Sequence, residues 1–487
     1  MDGRRRTEEE VTMKRLVQHA KQESTRMALV RAGAVEWTTT WLRRFGNDKR
    51  KGSKDAKRDA LRLLRNLCVE KERAKWEMRR AGVAQVVCDA LEPARVDLCK
   101  VVMQVLCNYT IEFQEGQEEV WNVWFPLAFQ NVLEGCKDAH VAAMASRTIL
   151  HCVEENCAWA EKLANSQSGR RLTAAIVQVT GENSFGGRES ESLEELLKLL
   201  CLQHDFYTAL FHMVECPSGK AQLTSAFSQC IANQREQMTF NLSSVELAEL
   251  IRDTLDLAAR ACKQEQIKQT EPLWNREDLN GMSLLLYHML GLLREVTQVE
   301  ACREKQSMQT VDILDQLYDA GILKVLVEML GSLGVPNPFR LQKGRSKEQI
   351  KHCYLSESTA VFPSYHLYFG YRTDIVAALA NMCFRRSSCQ DELLALGGVE
   401  LVLSNCQVES ASPLLREWSL VCIRNLCEQS EPIRQHIASL QLLDAERHPE
   451  LEELGLRVEI GSNGKPAIRH FDALTQKPLK QHGWKAE

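Results

Sequence analysis

The chain has 487 residues, of which 44% are hydrophobic and 26% are charged, and its formal net charge is −4. This composition is ordinary for a soluble globular protein, and the overall charge argues against a dedicated nucleic-acid-binding protein. The charge is uneven, because residues 1–80 carry 23 Lys and Arg against 12 Asp and Glu, whereas the remainder carries 38 against 53. A solvated helical face is the favoured interpretation of the basic end, and contact with an acidic partner or a membrane surface is the alternative.

The 18 cysteines are spread along the chain, with no CxxC pair and no Cys/His set at zinc-ligand spacing. We therefore interpret them as reduced core residues. The N-terminus lacks the apolar stretch of a signal peptide, and the most apolar run, Leu284–Leu293, is too short to span a bilayer. We expect a cytoplasmic protein, with a nuclear or perinuclear location as the alternative, and no cofactor, metal or transmembrane segment.

Glycine turns recur along the chain, each between a helix and a following amphipathic helix. The apolar residues of the following helix fall at i, i+3, i+4 and i+7, which indicates one buried face. The glycine is expected to take a positive φ that ends the preceding helix. The four turns are Ala32-Gly33-Ala34, Ala81-Gly82-Val83, Ala320-Gly321-Ile322 and Gly397-Gly398-Val399.

An asparagine near the end of a further helix completes each unit. The asparagines are Asn66, Asn108, Asn381 and Asn425. Gly82 precedes Asn108 by 26 residues and Gly398 precedes Asn425 by 27, while Asn66 precedes Asn108 by 42 and Asn381 precedes Asn425 by 44. These distances match three-helix armadillo units, so the sequence predicts an all-α, armadillo-like α-solenoid, a right-handed superhelix of helical repeats. A further unit is expected to have Pro126 in place of the glycine and His151 in place of the asparagine.

Two units are longer than the others, and both are extended between the second and third helices. The first holds a basic loop at 47–57, and the second holds an insertion at 334–372, so both are expected on one edge of the solenoid. The aromatics of the second either dock a partner or pin the insertion to the repeats; they include Phe362, Tyr365, Tyr368 and Phe369. We divide the chain into N-terminal repeats (1–165), central repeats (166–333), the insertion (334–372) and a C-terminal domain (373–487).

The central repeats give weaker signals. Residues 181–192 are expected to form a Gly/Ser-rich loop, Ser243 and Glu246 a capping box, and the helix register of 166–303 stays open. Near the C-terminus, Asn463-Gly464 between alternating residues predicts a β-hairpin over about 456–470. A two-stranded hairpin is marginal alone, so we expect it to dock on the last helices.

The C-terminal third resembles the ataxin-10 family over about residues 370–460. The resemblance rests on several blocks at a fixed spacing, which are Gly370-Tyr371-Arg372-Thr373-Asp374, Asn381-Met382-Cys383, Gly397-Gly398-Val399, Glu417-Trp418, Ile423-Arg424-Asn425-Leu426-Cys427 and Gly455-Leu456-Arg457-Val458-Glu459. It implies an armadillo-like fold without known catalytic activity. It also implies scaffold roles linked to cytokinesis, to cell-division regulators and to G-protein β subunits. Fungal relatives carry a copper-transport name, but Met-x-x-Met and Cys-x-Cys clusters are absent.

The asparagines are the first candidate partner-binding residues, because an amide both donates and accepts hydrogen bonds and can hold an extended peptide. The alternative is that each amide bonds to the neighbouring repeat. The tryptophan that import-signal receptors place four residues earlier is missing, since those positions hold Arg62, Gln104, Ala377 and Val421. If the asparagines bind partners, replacing Asn381 and Asn425 with Ala should weaken partner capture and leave melting unchanged.

Basic side chains are the second set of candidates. Arg65 and Arg424 each precede an asparagine and could pair with an acidic partner, or could form ordinary surface ion pairs. A basic run is interpreted as a solvated loop, with a nuclear localisation signal or an acidic-partner patch as the alternative. The run comprises Lys49, Arg50, Lys51, Lys54, Lys57 and Arg58.

Catalytic motifs are absent, since the sequence has no GxxxxGK[ST], GxGxxG, HExxH or GxSxG. The sequence therefore predicts a non-enzymatic scaffold or adaptor of the ataxin-10 type that binds proteins and not nucleic acid. The alternative is an armadillo-like chaperone or exchange factor for heterotrimeric G-protein subunits, which a nucleotide-exchange assay on a Gα subunit would distinguish. The sequence leaves the oligomeric state open, and a homo-oligomer is one alternative.

Overall fold

The computed structural model describes residues 2–46, 53–69, 72–183, 191–201, 203, 205–233, 244–266, 276–302, 312–333, 371–407, 409, 412–440, 451, 454–460 and 466–470. Helices fill nearly all of these ranges. The N-terminal ones are α1 (Asp2–His19), α2 (Glu23–Arg31), α3 (Ala34–Phe45), α4 (Ser53–Cys68), α5 (Glu72–Arg80), α6 (Val83–Asp89), α7 (Val96–Thr110), α8 (Gln114–Trp124), α9 (Leu127–Cys136), α10 (Ala139–Val153), α11 (Cys157–Asn165) and α12 (Gln167–Asn183).

The second half continues the same all-α architecture. Its helices are α13 (Glu191–Cys201), α14 (Phe206–Met213), α15 (Pro217–Asn233), α16 (Val245–Gln266), α17 (Arg276–Cys302), α18 (Ile313–Asp319), α19 (Ile322–Ser332), α20 (Tyr371–Met382), α21 (Ser387–Ala395), α22 (Gly398–Ser404), α23 (Leu415–Gln429) and α24 (Glu431–Ser439). The strands β1 (Leu456–Ile460) and β2 (Pro466–His470) pair antiparallel, with Val458 opposite Ile468. The predicted all-α helical-repeat solenoid with a small C-terminal hairpin is confirmed.

The predicted glycine turns separate the first and second helices of four repeats. Gly33, Gly82, Gly321 and Gly397 have φ of 81°, 59°, 79° and 70°. This left-handed conformation ends a helix readily only at a residue without a Cβ. Pro126 lies at the equivalent turn before α9. The local turn chemistry therefore sets where each amphipathic second helix begins.

The third helices of successive repeats pack side by side and build the core. We call this series the third-helix row, and it runs α1, α4, α7, α10, α13, α15, α17, α20 and α23, with each helix in contact with the next. One contiguous cluster of buried apolar side chains follows it from Met13 to Ile433. The third helices are therefore buried on their flanks, and their remaining accessible side chains mark the open side of the row, although α20 has no exposed residue.

The central repeats depart from the three-helix pattern, and their glycines serve a different purpose. A Cβ on Gly181 of α12 would lie 2.5 Å from the Gly219 nitrogen of α15, and one on Gly281 of α17 would lie 2.7 Å from Ser218 Oγ. These glycines let helices approach closely and do not form turns. The predicted loop at 181–192 is too long, because α12 extends to Asn183 and α13 begins at Glu191. Ser243, the predicted capping residue, lies outside the described residues, and Ser244 Oγ accepts the Leu247 N–H at 3.2 Å.

The boundaries of both insertions need correction. Helix α4 begins at Ser53, so the last residues of the predicted loop 47–57 are helical. The predicted insertion 334–372 ends earlier, because Tyr371 and Arg372 open α20. Arg372 Nη2 donates to the Leu333 carbonyl at 2.7 Å, which joins the two ends of this insertion. The four aromatics proposed for it lie outside the described residues.

The hairpin is present where predicted. Among the described residues, its strands make extensive contacts only with each other. Residues 467–470 of β2 are exposed, and Ile468 keeps 61% of its surface accessible. The β1 residues 456–458 are half-buried, and the docking of the hairpin on the last helices stays a prediction.

Candidate partner-binding face

Each predicted asparagine lies near the end of a third helix and reaches the preceding third helix. Asn108 Nδ2 donates to the Arg65 carbonyl at 3.3 Å, and Asn425 Nδ2 donates to the Ala380 carbonyl at 2.9 Å. Each acceptor is the residue before the previous asparagine and lies in the last turn of its helix. The last four carbonyls of a helix lack intrahelical partners, so the asparagine satisfies a group that would otherwise be unbonded.

The two remaining asparagines make the same kind of contact. Asn66 Nδ2 lies 3.5 Å from the Val17 carbonyl in the last turn of α1. Asn381 Nδ2 donates to Thr297 Oγ1 of α17 at 3.2 Å. Asn66, Asn381 and Asn425 are at least nine-tenths buried. These contacts agree with the alternative of bonding between repeats, and partner binding by the asparagines stays a prediction.

Two other residues take the place of the asparagine. His151 Nδ1 of α10 shares a 2.9 Å hydrogen bond with Thr110 Oγ1 of α7, as the predicted equivalence with asparagine implies. Burial, with Arg147 and Lys75 nearby, lowers the pKa of His151 to about 4. Cys230 Sγ of α15 lies 3.2 Å from the Lys198 carbonyl in the last turn of α13. The sequence analysis missed Cys230 because a cysteine at a helical position is equally well explained as a core residue.

The paired arginines orient the asparagines and stay on the open side of the row. Arg65 donates to Asn66 Oδ1 at 2.9 Å and to Gln104 Oε1 at 2.8 Å. Arg424 donates to Asn425 Oδ1 at 3.2 Å and is exposed. Neither guanidinium forms an ion pair with a carboxylate among the described residues. Desolvation by burial lowers the pKa of Arg65, and the neighbouring positive charge of Arg62 lowers it further. Both groups therefore remain available to an acidic ligand.

The basic run does not form one patch. Lys49, Arg50 and Lys51 lie outside the described residues, as does the side chain of Lys54. Lys57 is 2% exposed, and its Nζ lies 2.7 Å from Glu92 Oε1. Arg58 pairs with Asp55 at 2.8 Å and Asp97 at 3.3 Å. Lys57 and Arg58 thus join repeats, because the helix that begins at Ser53 turns them toward these carboxylates.

A groove opens between α1 and α4, the first two helices of the row, with a volume of about 610 Å³. Its cationic lining comprises Lys14, Lys21, Arg58, Arg62 and Arg65, and its anionic lining comprises Glu10, Asp55 and Asp59. Arg62 and Asp59 form a surface ion pair at 3.4 Å, which water screens strongly. The groove therefore favours a negatively charged occupant.

The row also exposes large apolar side chains at its other end. Tyr287 of α17 keeps 50% of its surface accessible, and Leu420 of α23 keeps 55%. On α23, Arg416, Leu420 and Arg424 share one face at intervals of four residues. Tyrosine and arginine are enriched among residues that dominate protein–protein binding energies. This combination suits contact with protein.

Among the described residues, no cluster of three or more His, Cys, Asp or Glu could hold a metal ion. No helix in the same ranges is long and apolar enough to cross a membrane.

The fold and the row define an all-α helical-repeat protein of the scaffold type. The family model described as the spinocerebellar ataxia type 10 protein domain matches residues 371–469. Proteins named ataxin-10 also align with much of the chain that precedes residue 371. The chain is therefore similar to the ataxin-10 family, most clearly over residues 371–469, and that family is not a known enzyme family.

Three relatives illustrate the extent of the similarity. Ataxin-10 of Xenopus tropicalis is 22% identical over 82% of this chain and 78% of its own length. The ataxin-10 homolog of Dictyostelium discoideum is 35% identical over 20% of this chain and 16% of its own length. Human ataxin-10 is 26% identical over 36% of this chain and 38% of its own length. This chain thus spans well under half of the Dictyostelium and human relatives in these alignments.

Proposed function

We propose that this chain is a non-catalytic scaffold or adaptor of the ataxin-10 type, which binds partner proteins along the third-helix row. The observation that carries the proposal is the continuity of the row, whose open side bears arginines, a tyrosine and a leucine that the fold leaves accessible. A repeat array of this kind offers a long surface for proteins. Its expected setting is cytoplasmic, in cytokinesis, cell division or G-protein-linked signalling.

The groove between α1 and α4 is proposed as the first contact for an acidic partner segment. Lys14 and Lys21 line this groove and are exposed, and neither forms an ion pair with another described residue. Rim charges of this type act mainly on the association rate and on its salt dependence. Cell-division regulators and the G-protein β subunit are the partner classes that the resemblance to the ataxin-10 family suggests.

Charge reversal at Lys14 and Lys21 tests the groove. The Lys14→Glu/Lys21→Glu double variant should capture fewer partners from cell extract, by about tenfold for those that use the groove. Quantitative mass spectrometry after affinity capture with the full-length chain measures this. The matched control is Arg44→Glu/Arg80→Glu, because both arginines are exposed and lie on α3 and α5, away from the row.

The control variant should retain the wild-type partner set, and both variants should melt as the wild type does. Equal capture by the groove variant and the wild type would remove the proposed role of the groove. Equal losses in both variants would show that total charge, and not the row, governs capture.

A further inference from the structure

Two cysteines from adjacent repeats meet at the turn before α7. Cys99 lies in the first turn of α7, and Cys136 is the last residue of α9. Both sulfurs point at one carbonyl, since Cys136 Sγ lies 3.2 Å and Cys99 Sγ 3.8 Å from the oxygen of Pro93. The two sulfurs are close enough for each thiol to shift the pKa of the other. The fold therefore holds both sulfurs together while both remain thiols.

The close approach depends on the residue before Cys136. A Cβ built on Gly135 would lie 2.4 Å from Pro93 Cβ and 3.0 Å from the Pro93 carbonyl carbon. Any larger residue would push the end of α9 away from this turn. Gly135 thus lets α9 end directly on the Pro93 backbone, which places Cys136 beside Cys99.

The two thiols differ in access and in proton affinity. Cys99 is fully buried, and the interaction with Cys136, followed by burial, raises its pKa. Cys136 is half-buried, and the interaction with Cys99 lowers its pKa. Asp138 opposes this effect, but its carboxylate lies 2.8 Å from Lys100 Nζ. Cys136 is therefore the more nucleophilic and more accessible member of the pair.

We propose that Cys99 and Cys136 form a site of reversible oxidation, at which a peroxide converts the two thiols into a disulfide. The Cys136 thiolate attacks one peroxide oxygen, breaks the O–O bond and becomes a sulfenic acid, and the other oxygen leaves as hydroxide, which takes up a proton. Cys99 then attacks the Cys136 sulfur, its proton passes to the departing oxygen, and water leaves. Overall, two thiols and hydrogen peroxide give one disulfide and two waters, and a dithiol reverses the change. Accessible thiols beside a second cysteine are the usual sites of such oxidation.

Two other pairs of close cysteines lack an accessible member. Cys201 and Cys230 are 1% and 7% exposed, and Cys383 and Cys422 are fully buried. A peroxide cannot reach these pairs without local opening. Cys157 is exposed, so it serves as an internal control for a thiol that oxidant reaches freely.

The test treats the full-length chain with about one to ten equivalents of hydrogen peroxide. Differential alkylation and peptide mass spectrometry then map each cysteine. The expected product is a Cys99–Cys136 disulfide that dithiothreitol reverses and that raises the thermal midpoint by several degrees, because a cross-link restricts the unfolded chain. The Cys157→Ser variant should form it as the wild type does, and Cys136→Ser should not.

Mapping the oxidation state of each cysteine in the wild-type protein tests the proposed disulfide even if a variant folds poorly. If Cys157 becomes oxidised while Cys99 and Cys136 both remain alkylatable, the site does not exist. If Cys136 stops at sulfenic acid or pairs with another cysteine, the proposed reaction with Cys99 is wrong. Neither result depends on partner binding, so both are separate from the test of the scaffold function.

Discussion

At the scale of single residues, the molecule repeats one contact between successive third helices. An amide, an imidazole or a thiol near the end of one helix bonds to the end of the previous helix, as with Asn425, His151 and Cys230. The asparagine positions could be predicted from spacing, and so could the substitution by histidine. The thiol contact of Cys230 could not be predicted, since a cysteine at a helical position is equally well explained as a core residue.

Removing a buried amide should lower stability. For Asn425→Ala we expect a loss of about 1–3 kcal/mol in the free energy of unfolding, because the Ala380 carbonyl loses its bond without gaining access to water. Melting followed by circular dichroism measures the change. The control Asn131→Ala, at an exposed position of α9, should stay within about 0.5 kcal/mol of wild type.

This result would correct the expectation that replacing Asn381 and Asn425 leaves melting unchanged. Both amides are buried and bonded, so a loss of partner capture in that double variant would not by itself identify a binding residue. An unchanged midpoint for Asn425→Ala would show instead that the hydrogen bond between repeats contributes little.

The second residue-scale prediction concerns acid. The pKa of His151 is lowered to about 4 by burial, whereas an unfolded histidine titrates near about 6.5. As the pH falls, the unfolded chain therefore binds a proton at His151 before the folded chain does. The stability contributed by the neutral imidazole is complete above about pH 6.5 and is lost between about pH 6.5 and pH 4. The loss should be on the order of 1–3 kcal/mol, with solvent access reducing it.

The variant His151→Asn separates this contribution from general acid unfolding. It restores the amide found in the other repeats, so its midpoint should fall less than that of the wild type between pH 7 and pH 5. Replacing the exposed His19 with Asn should leave the wild-type pH dependence in place. If His151→Asn and wild type lose the same stability over this range, the buried imidazole is not responsible.

At the scale of elements, the glycine turns were predictable and the central helices were not. A turn signal is local, because a positive φ demands a glycine within the turn itself. In the centre, Gly181 and Gly219 instead mark the crossing of α12 and α15, a contact between residues far apart in sequence. No local pattern distinguishes a glycine at a helix crossing from one at a turn, so the register there could not be assigned.

Two glycines of one repeat should respond to alanine in opposite directions. Gly321 has φ of 79°, so Gly321→Ala should lose about 1–2 kcal/mol although no atom lies within 4 Å of the added Cβ. Gly331 is inside α19, and its Cβ would meet Leu401 at 3.7 Å, an ordinary contact. Gly331→Ala should therefore gain about 0.5–1 kcal/mol. Urea unfolding of both variants measures the difference, and equal effects would contradict a conformational origin.

At the scale of the whole molecule, the row unites features that are distant in the sequence. Arg65 and Arg424 stand at opposite ends of it, and each was a candidate from its place beside an asparagine. Lys57 was a candidate from the basic run, but Glu92, 35 residues later, neutralises it. The sequence shows where charges occur, and only the packing of repeats shows which of them a partner can reach.

The hydrogen bond between Arg372 and the Leu333 carbonyl has a consequence for how this chain can change over time. Leu333 and Arg372, which lie on either side of residues 334–370 in the sequence, are joined at one point, so the intervening segment closes a loop in the chain. The entropy of closing such a loop rises only logarithmically, by about 0.6 kcal/mol for each doubling of length. Lineages can therefore lengthen, shorten or exchange this segment at little energetic cost, while the repeats on either side keep their register.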